Sequence, residues 1–208
     1  MSTTSTSFGP VGVEEVTELR ALGIRIMGSE DLSFPAEVLE AWLGRNPEII
    51  QVVRARDRIA GYAVILPLAA ETVDQVMRRA LRPRQIPPGA ILAYEPGVEG
   101  ALYVAEMAID QELAERSIGA AVLVRHWMRF FAAKIELGFR PTGLWCVVGL
   151  SRKGTEFSRR LGFTEIHIEG VSDPEWAAMR LSLGDESPLF HKVGPAAPPA
   201  GQPARSDS

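Results

Sequence analysis

Residues 102 to 137 restrict the fold of this chain more than any other stretch. A strand at 102–109 runs through a short polar loop into a long helix that begins near 117 and continues to 137. A chain with this junction needs a sheet with helices packed on it. Upstream, residues 13–27 place Val16, Leu19, Leu22 and Ile26 on one side of a helix. A second helix starts at Ser33-Phe34-Pro35, with Pro35 at the first helical position, and stops at Asn46-Pro47; Val38, Leu39, Trp42 and Leu43 form its buried stripe. Strands at 49–54 and 59–66 make a hairpin closed by Pro67, and 71–82 reads as a helix stopped by Pro83. Downstream come a strand at 144–148, a helix at 153–161 with Gly162 as its left-handed cap, and strands at 163–168 and 177–183. The order predicts a mixed α/β (α+β) sandwich.

The two ends lack a periodic apolar face. Residues 1–12 are rich in Ser, Thr and Gly and 194–208 in Pro and Ala, so both are expected as disordered tails around one domain at 13–193. A composition of 46% apolar and 23% charged residues excludes a disordered chain, a collagen-like repeat and a coiled coil. The single cysteine, Cys146, excludes an internal disulfide framework and multi-cysteine metal sites. His126, His167 and His191 lack metal-ligand spacing, so no metal is expected. A net charge of -4 gives no general attraction to nucleic acid or an anionic membrane. The longest near-apolar run, 59–70, is shorter than the roughly 20 residues of a bilayer span. With no secretory signal at the start, a cytoplasmic protein is the expectation.

Residues 103–123, YVAEMAIDQELAERSIGAAVL, carry the strongest functional signal. Gly119, Ala120 and Ala121 let backbone approach a ligand closely, and free amides at a helix start favour phosphate, most often pyrophosphate. The same small residues also suit close packing of a helix on a sheet. The stretch from Met107 to Leu123 resembles the acyl-CoA-binding segment of the GNAT superfamily of N-acetyltransferases, L-A-V-x-P-E-x-[RQ]-G-x-G-x-G-x-x-L-L. Ala108, Ile109, Asp110, Glu112, Ile118, Gly119, Ala121 and Leu123 fit it without a gap. Phe157-Ser158-Arg159-Arg160-Leu161-Gly162-Phe163 resembles the family's F-Y-x-x-x-G-F, and Arg58-Ile59-Ala60-Gly61-Tyr62-Ala63-Val64 its V-[VA]-G-[YF] strand. Met179-Arg180-Leu181 fits the last strand, and the resemblance spans about residues 35–183. The chain departs from the pattern at Ala114, where Arg or Gln is usual, at Ser117, where Gly is usual, and at Ser158, where Tyr is frequent.

The resemblance implies a GNAT-like mixed central sheet flanked by helices, with splayed fourth and fifth strands that admit acetyl-CoA as co-substrate. Backbone at Met107, Ala108 and Ile109 would pair with the pantetheine arm as an added strand does. Ala114, Arg116, Ser117, Ile118, Gly119 and Ala120 would hold the pyrophosphate, with Ser151 as a further cofactor contact. Glu106 would be the general base for the attacking amine, the alternative being a sheet-edge or solvent-facing glutamate. Ser158 or a water would protonate the leaving thiolate, and Tyr103 would shape the acceptor pocket. The implied reaction is acetyl transfer to a primary amine of a small-molecule or protein acceptor, in a ternary complex, with no nucleic-acid or membrane partner. A non-catalytic acyl-CoA-binding or interaction module is the alternative. Dimers are common among the proteins it resembles.

Other residues carry blander readings. Cys146 lies in the apolar run LWCVV and reads as packing, as do Trp127, Phe130 and Phe131 on the long helix. Arg78, Arg79, Arg82 and Arg84 form the one basic cluster, better read as a solvated helix face than as an anion site. Residues 67–100 are longer than a plain connection and are expected to help wall the acceptor site.

Overall fold

A computed structural model describes residues 6–55, 58–110, 120–149, 152–169, 171 and 176–181. Among these, seven strands form one sheet: β1 (Thr6–Pro10), β2 (Ile50–Ala55), β3 (Arg58–Leu68), β4 (Glu99–Ile109), β5 (Arg140–Gly149), β6 (Thr164–Glu165) and β7 (Trp176–Leu181). They lie in the order β1-β2-β3-β4-β5-β7-β6. Every pair is antiparallel except β4 with β5. That parallel pair needs a crossover, and the long helix α4 (Ala120–Glu136) supplies it. The helices α1 (Val16–Met27), α2 (Ala36–Arg45), α3 (Ala70–Met77) and α5 (Arg152–Arg160) complete the fold. No helix among the described residues is long and apolar enough to cross a membrane.

The amphipathic helices bury the stripes their sequences carry. Leu19 and Leu22 of α1, Leu39, Trp42 and Leu43 of α2, and Leu123, Trp127, Met128 and Phe131 of α4 are all buried, and Phe130 is half-buried against that core. Cys146 is also buried, which pushes its thiol pKa up to about 12 and leaves it inert. Gly162 takes a left-handed φ of 93° after α5, as its place predicts.

Several local expectations need correction. Residues 6–10 are not loose: they form β1, where Phe8 stands opposite Val53 and its ring stacks 4.6 Å from that of His126. Ile26 is 38% exposed, because α1 turns it past the edge of the core. Pro35 caps α2 from one residue outside the helix. Pro67 does not end its strand. Its carbonyl accepts from Leu92 N–H at 2.8 Å on the side where β2 has already stopped, so its missing donor breaks no ladder bond. Helix α3 ends at Met77, well before Pro83, and Arg79 then adopts a left-handed φ of 61°. The tail at 194–208 lies outside the described residues.

The segment between β3 and β4 is tied to the body by its backbone carbonyls. Trp42 Nε1 donates to Ile86 O at 3.0 Å, and Asn46 Nδ2 donates to Leu92 O at 2.9 Å. Tyr94, buried among Phe130 and Phe139, donates its hydroxyl to Ile65 O at 3.0 Å. Replacing Trp42 with Phe keeps a ring but leaves the Ile86 carbonyl unpartnered. The expected loss is about 1–3 kcal/mol of stability, read by chemical denaturation.

Candidate functional site

Strands β4 and β5 pair from Glu99 opposite Arg140 to Val104 opposite Cys146, and no further. Both strands nevertheless continue, and each keeps its outer neighbour: Ile109 lies opposite Gly61 of β3, and Gly149 opposite Trp176 of β7. The sheet therefore forks between them, from Ala105 and Val147 onward. A bulge sits at the fork. Val64 stands opposite Glu106 but Ile65 opposite Val104, which makes Ala105 the extra residue. Without the bulge, Tyr103 and Glu106 would point to opposite faces; with it they share the face that carries Tyr62 and Val64.

The backbone at the fork can be followed bond by bond. Asp110 N–H donates to Ala60 O at 2.9 Å. Alternation back along an antiparallel ladder then turns the polar groups of Ala108 toward β3 and those of Met107 and Ile109 into the fork. Of the three cofactor-pairing positions named from the sequence, Met107 and Ile109 thus turn their peptide groups to the fork, where no described strand pairs with them, and Ala108 does not. The fork suits a linear molecule carrying amides, such as the pantetheine arm of CoA, because such an arm satisfies the exposed strand edges. An ion pair between Arg25 and Asp110 fastens the end of α1 to the end of β4 beside it.

Glu106 is buried, at 6% exposure, on the α1 side of the sheet. Tyr62 donates its hydroxyl to Glu106 Oε1, while Glu106 Oε2 has no hydrogen-bond partner among the described residues. Burial pushes the carboxyl above the usual range. The Tyr62 hydroxyl, the Phe34 amide, the Ser33 hydroxyl and the Arg84 guanidinium oppose that shift by favouring the ionised form. Burial and the adjacent carboxylate also keep Tyr62 protonated, so it acts as the donor. Gly23, inside α1, makes room for this cluster. A Cβ there would collide with the Tyr62 hydroxyl and lie 2.8 Å from Ser33 Oγ and 2.9 Å from Glu106 Oε1.

The remaining sequence candidates fall as follows. Tyr103 is buried beside the fork, on the same face as Glu106. Ser158 is buried on α5, with its hydroxyl toward the Cys146 thiol, on the other side of the sheet. Ala120 opens α4. Ala114, Arg116, Ser117, Ile118, Gly119 and Ser151 lie outside the described residues. Of the basic cluster, Arg78 pairs with Asp74 at 2.8 Å, and Arg84 donates to Ser33 O at 3.3 Å near Glu106. Sequence reasoning missed Gly23, Ser33 and the role of Tyr62. A glycine within the apolar side of a helix was the available signal, since it lowers helix stability unless packing requires it. No group of three or more potential metal ligands occurs among the described residues.

Compared by sequence, the chain matches no protein-family model and no curated protein. Compared by structure, it has the fold of the GNAT acetyltransferases. The loading GNATL domain of CurA from Lyngbya majuscula superimposes with a TM-score of 0.60 at 14% identity, covering 90% of this chain and 100% of that one. The ribosomal-protein-S18-alanine N-acetyltransferase from Escherichia coli gives 0.54 at 11% identity, covering 88% and 98%. A chain of the NatB acetyltransferase complex bound to CoA and MES gives 0.56 at 13% identity, covering 86% and 99%.

Two outcomes test this reading of the cluster. Gly23→Ala raises intrinsic helix propensity by about 1 kcal/mol, yet the collision with Tyr62 is expected to make it destabilising by about 1–3 kcal/mol in urea melts. The raised pKa of Glu106 means that the folded protein retains a proton the unfolded chain has already released. Stability owed to this group is thus highest in acid and falls as pH rises from about 4.3 through the raised folded value. Glu106→Gln is expected to flatten that fall, measured by denaturation across the same range.

Proposed function

We propose that the protein is an acyl-CoA-dependent N-acyltransferase that moves an acetyl group from acetyl-CoA to a primary amine. The observation that carries this reading is the fork between β4 and β5, with the peptide groups of Met107 and Ile109 turned into it and a buried carboxylate, Glu106, on the residue just before Met107. The shared fold and the CoA bound to one structural neighbour support it. The thioester of acetyl-CoA supplies an acetyl group on a good leaving thiolate. Met107 and Ile109 hold the arm that carries it. Glu106, through its unpartnered Oε2, accepts the proton that the ammonium must shed before nitrogen can attack. A carbon–nitrogen bond forms, the carbon–sulfur bond breaks, and the departing CoA thiolate takes up, through water, the second proton that the acylated nitrogen sheds. The raised pKa suits Glu106 to this work, because a stronger conjugate base competes better for an ammonium proton. The acceptor amine belongs to a small molecule or a protein.

Ser158 favours the second reading, a non-catalytic acyl-CoA-binding module, since it is buried against Cys146 and replaces a residue often used to protonate the thiolate. Glu106→Gln separates the two. If the protein is an enzyme, the variant is expected to retain acetyl-CoA binding by calorimetry while kcat/KM falls roughly 10²–10⁴-fold and loses its rise with pH. Undiminished turnover overturns the choice of base, and absence of acetyl-CoA binding to the unaltered protein overturns the reading as a whole.

A further inference from the structure

We infer that the cavity between α3 and residues 166–169 receives the far end of the acceptor, and that this end is a carboxylate on an apolar body. The inference rests on the acyltransferase reading of the fork and names the acceptor class for it. The cavity has a volume of about 540 Å³ and a floor of Ala101, Trp145 and Arg180. That floor lies on the Glu106 face of the sheet, because Trp145 stands opposite both Tyr103 and Arg180. Val73 and Met77 of α3 form one wall, and Ile166 and Ile168 face them. Asp74, Arg78, Thr142, His167, Glu169 and Arg180 supply the polar part of the lining, so the cavity combines apolar walls with a charged side. Helix α3 belongs to the long segment between β3 and β4, so that segment lines this cavity.

Arg180 gives the pocket its charge. Its guanidinium carbon sits 4.8 Å from the centroid of the Trp145 ring, and its Nη2 donates to Thr142 O at 3.4 Å. The head group is therefore held in place before a ligand arrives. Among the described residues no carboxylate pairs with it. The other arginine at the cavity, Arg78, already holds the Asp74 carboxylate at 2.9 and 2.8 Å, and Glu169 is exposed at the rim. Trp145 Nε1 and Arg180 Nε are buried donors with no acceptor among the described residues, which leaves the Nη groups of Arg180 to meet an anion in the cavity. A guanidinium held in this way, with no carboxylate partner among the described residues, favours a planar anion, and a carboxylate matches its fork of N–H groups.

Distance narrows the class further. Trp145 lies two residues before Val147, where β5 parts from β4, and Gly143, which a Cβ would bring to 3.3 Å from Trp145 Nε1, lies four before it. The pocket is therefore roughly 7–13 Å along the strand from the fork. An amine at Glu106 and a carboxylate at Arg180 fit the two ends of a peptide of roughly two to four residues. A single α-amino acid is too short.

The test measures calorimetric binding of an apolar tripeptide with a free C-terminal carboxylate, and of its C-terminal amide, to the full chain with and without excess CoA, and then acetyl transfer to each peptide from acetyl-CoA. The acid is expected to bind roughly tenfold more tightly than the amide, and Arg180→Gln to erase the difference. Equal affinities, or no binding of either peptide, overturn the carboxylate pocket. The acid-to-amide comparison uses the unaltered protein and stands even if Arg180→Gln fails to fold. Preference for the acid without acetyl transfer supports the pocket and overturns the acyltransferase reading. Transfer to both peptides with equal kcat/KM overturns the pocket alone.

Discussion

The arrangement of the site depends on one interrupted ladder. Strands β4 and β5 are hydrogen-bonded up to Val104 and Cys146 and then part, while β3 and β7 go on holding their outer edges. Unpaired strand edges inside a sheet are costly unless something satisfies them, because buried peptide groups without partners lose their bonds to water. A guest strand or an extended arm with amides is the physical complement of such a gap. The fork is set by backbone pairing rather than by particular side chains, and the fold is shared with structures of 6–14% identity.

The bulge at Ala105 links that backbone site to a side chain. One extra residue on β4 rotates everything after it relative to everything before it, so Tyr103 and Glu106 come to the same face. The face is covered by α1, and the fit there is tight enough that only a glycine at position 23 allows the Tyr62 hydroxyl to reach Glu106. Burial raises the proton affinity of the carboxyl, and the tyrosine fixes its orientation. The inserted segment with α3 covers the adjoining part of the same face. Its cavity and the fork thus lie in series along β5.

The order of elements was legible from periodicity and from breakers, because a helix stripe at 16–22 or 123–131 and a cap at Gly162 are local properties. The pattern also misled in places. Thr6–Pro10 has too little apolar content to read as a strand, yet it pairs because β2 presents an open edge and His126 offers Phe8 a ring to stack on. Pro67 reads as a strand stop, and would be one in a central position; it survives because its side of β3 has no β2 partner at that level.

What the sequence determined by itself was a strand followed by a long amphipathic helix, and the presence of a glutamate on that strand. Those follow from residue type and spacing along a short length of chain. Only the tertiary structure decided which peptide groups face the fork, which face Glu106 occupies and what surrounds it. Each of those depends on a register or a bulge set by pairing between residues some forty positions apart, as Val64 with Glu106 or Val104 with Cys146. The pocket at Arg180 is of the same kind. Asp74 at that cavity is held by Arg78, and Arg180 pairs with no carboxylate among the described residues, an outcome of distances in the folded chain rather than of its charge count.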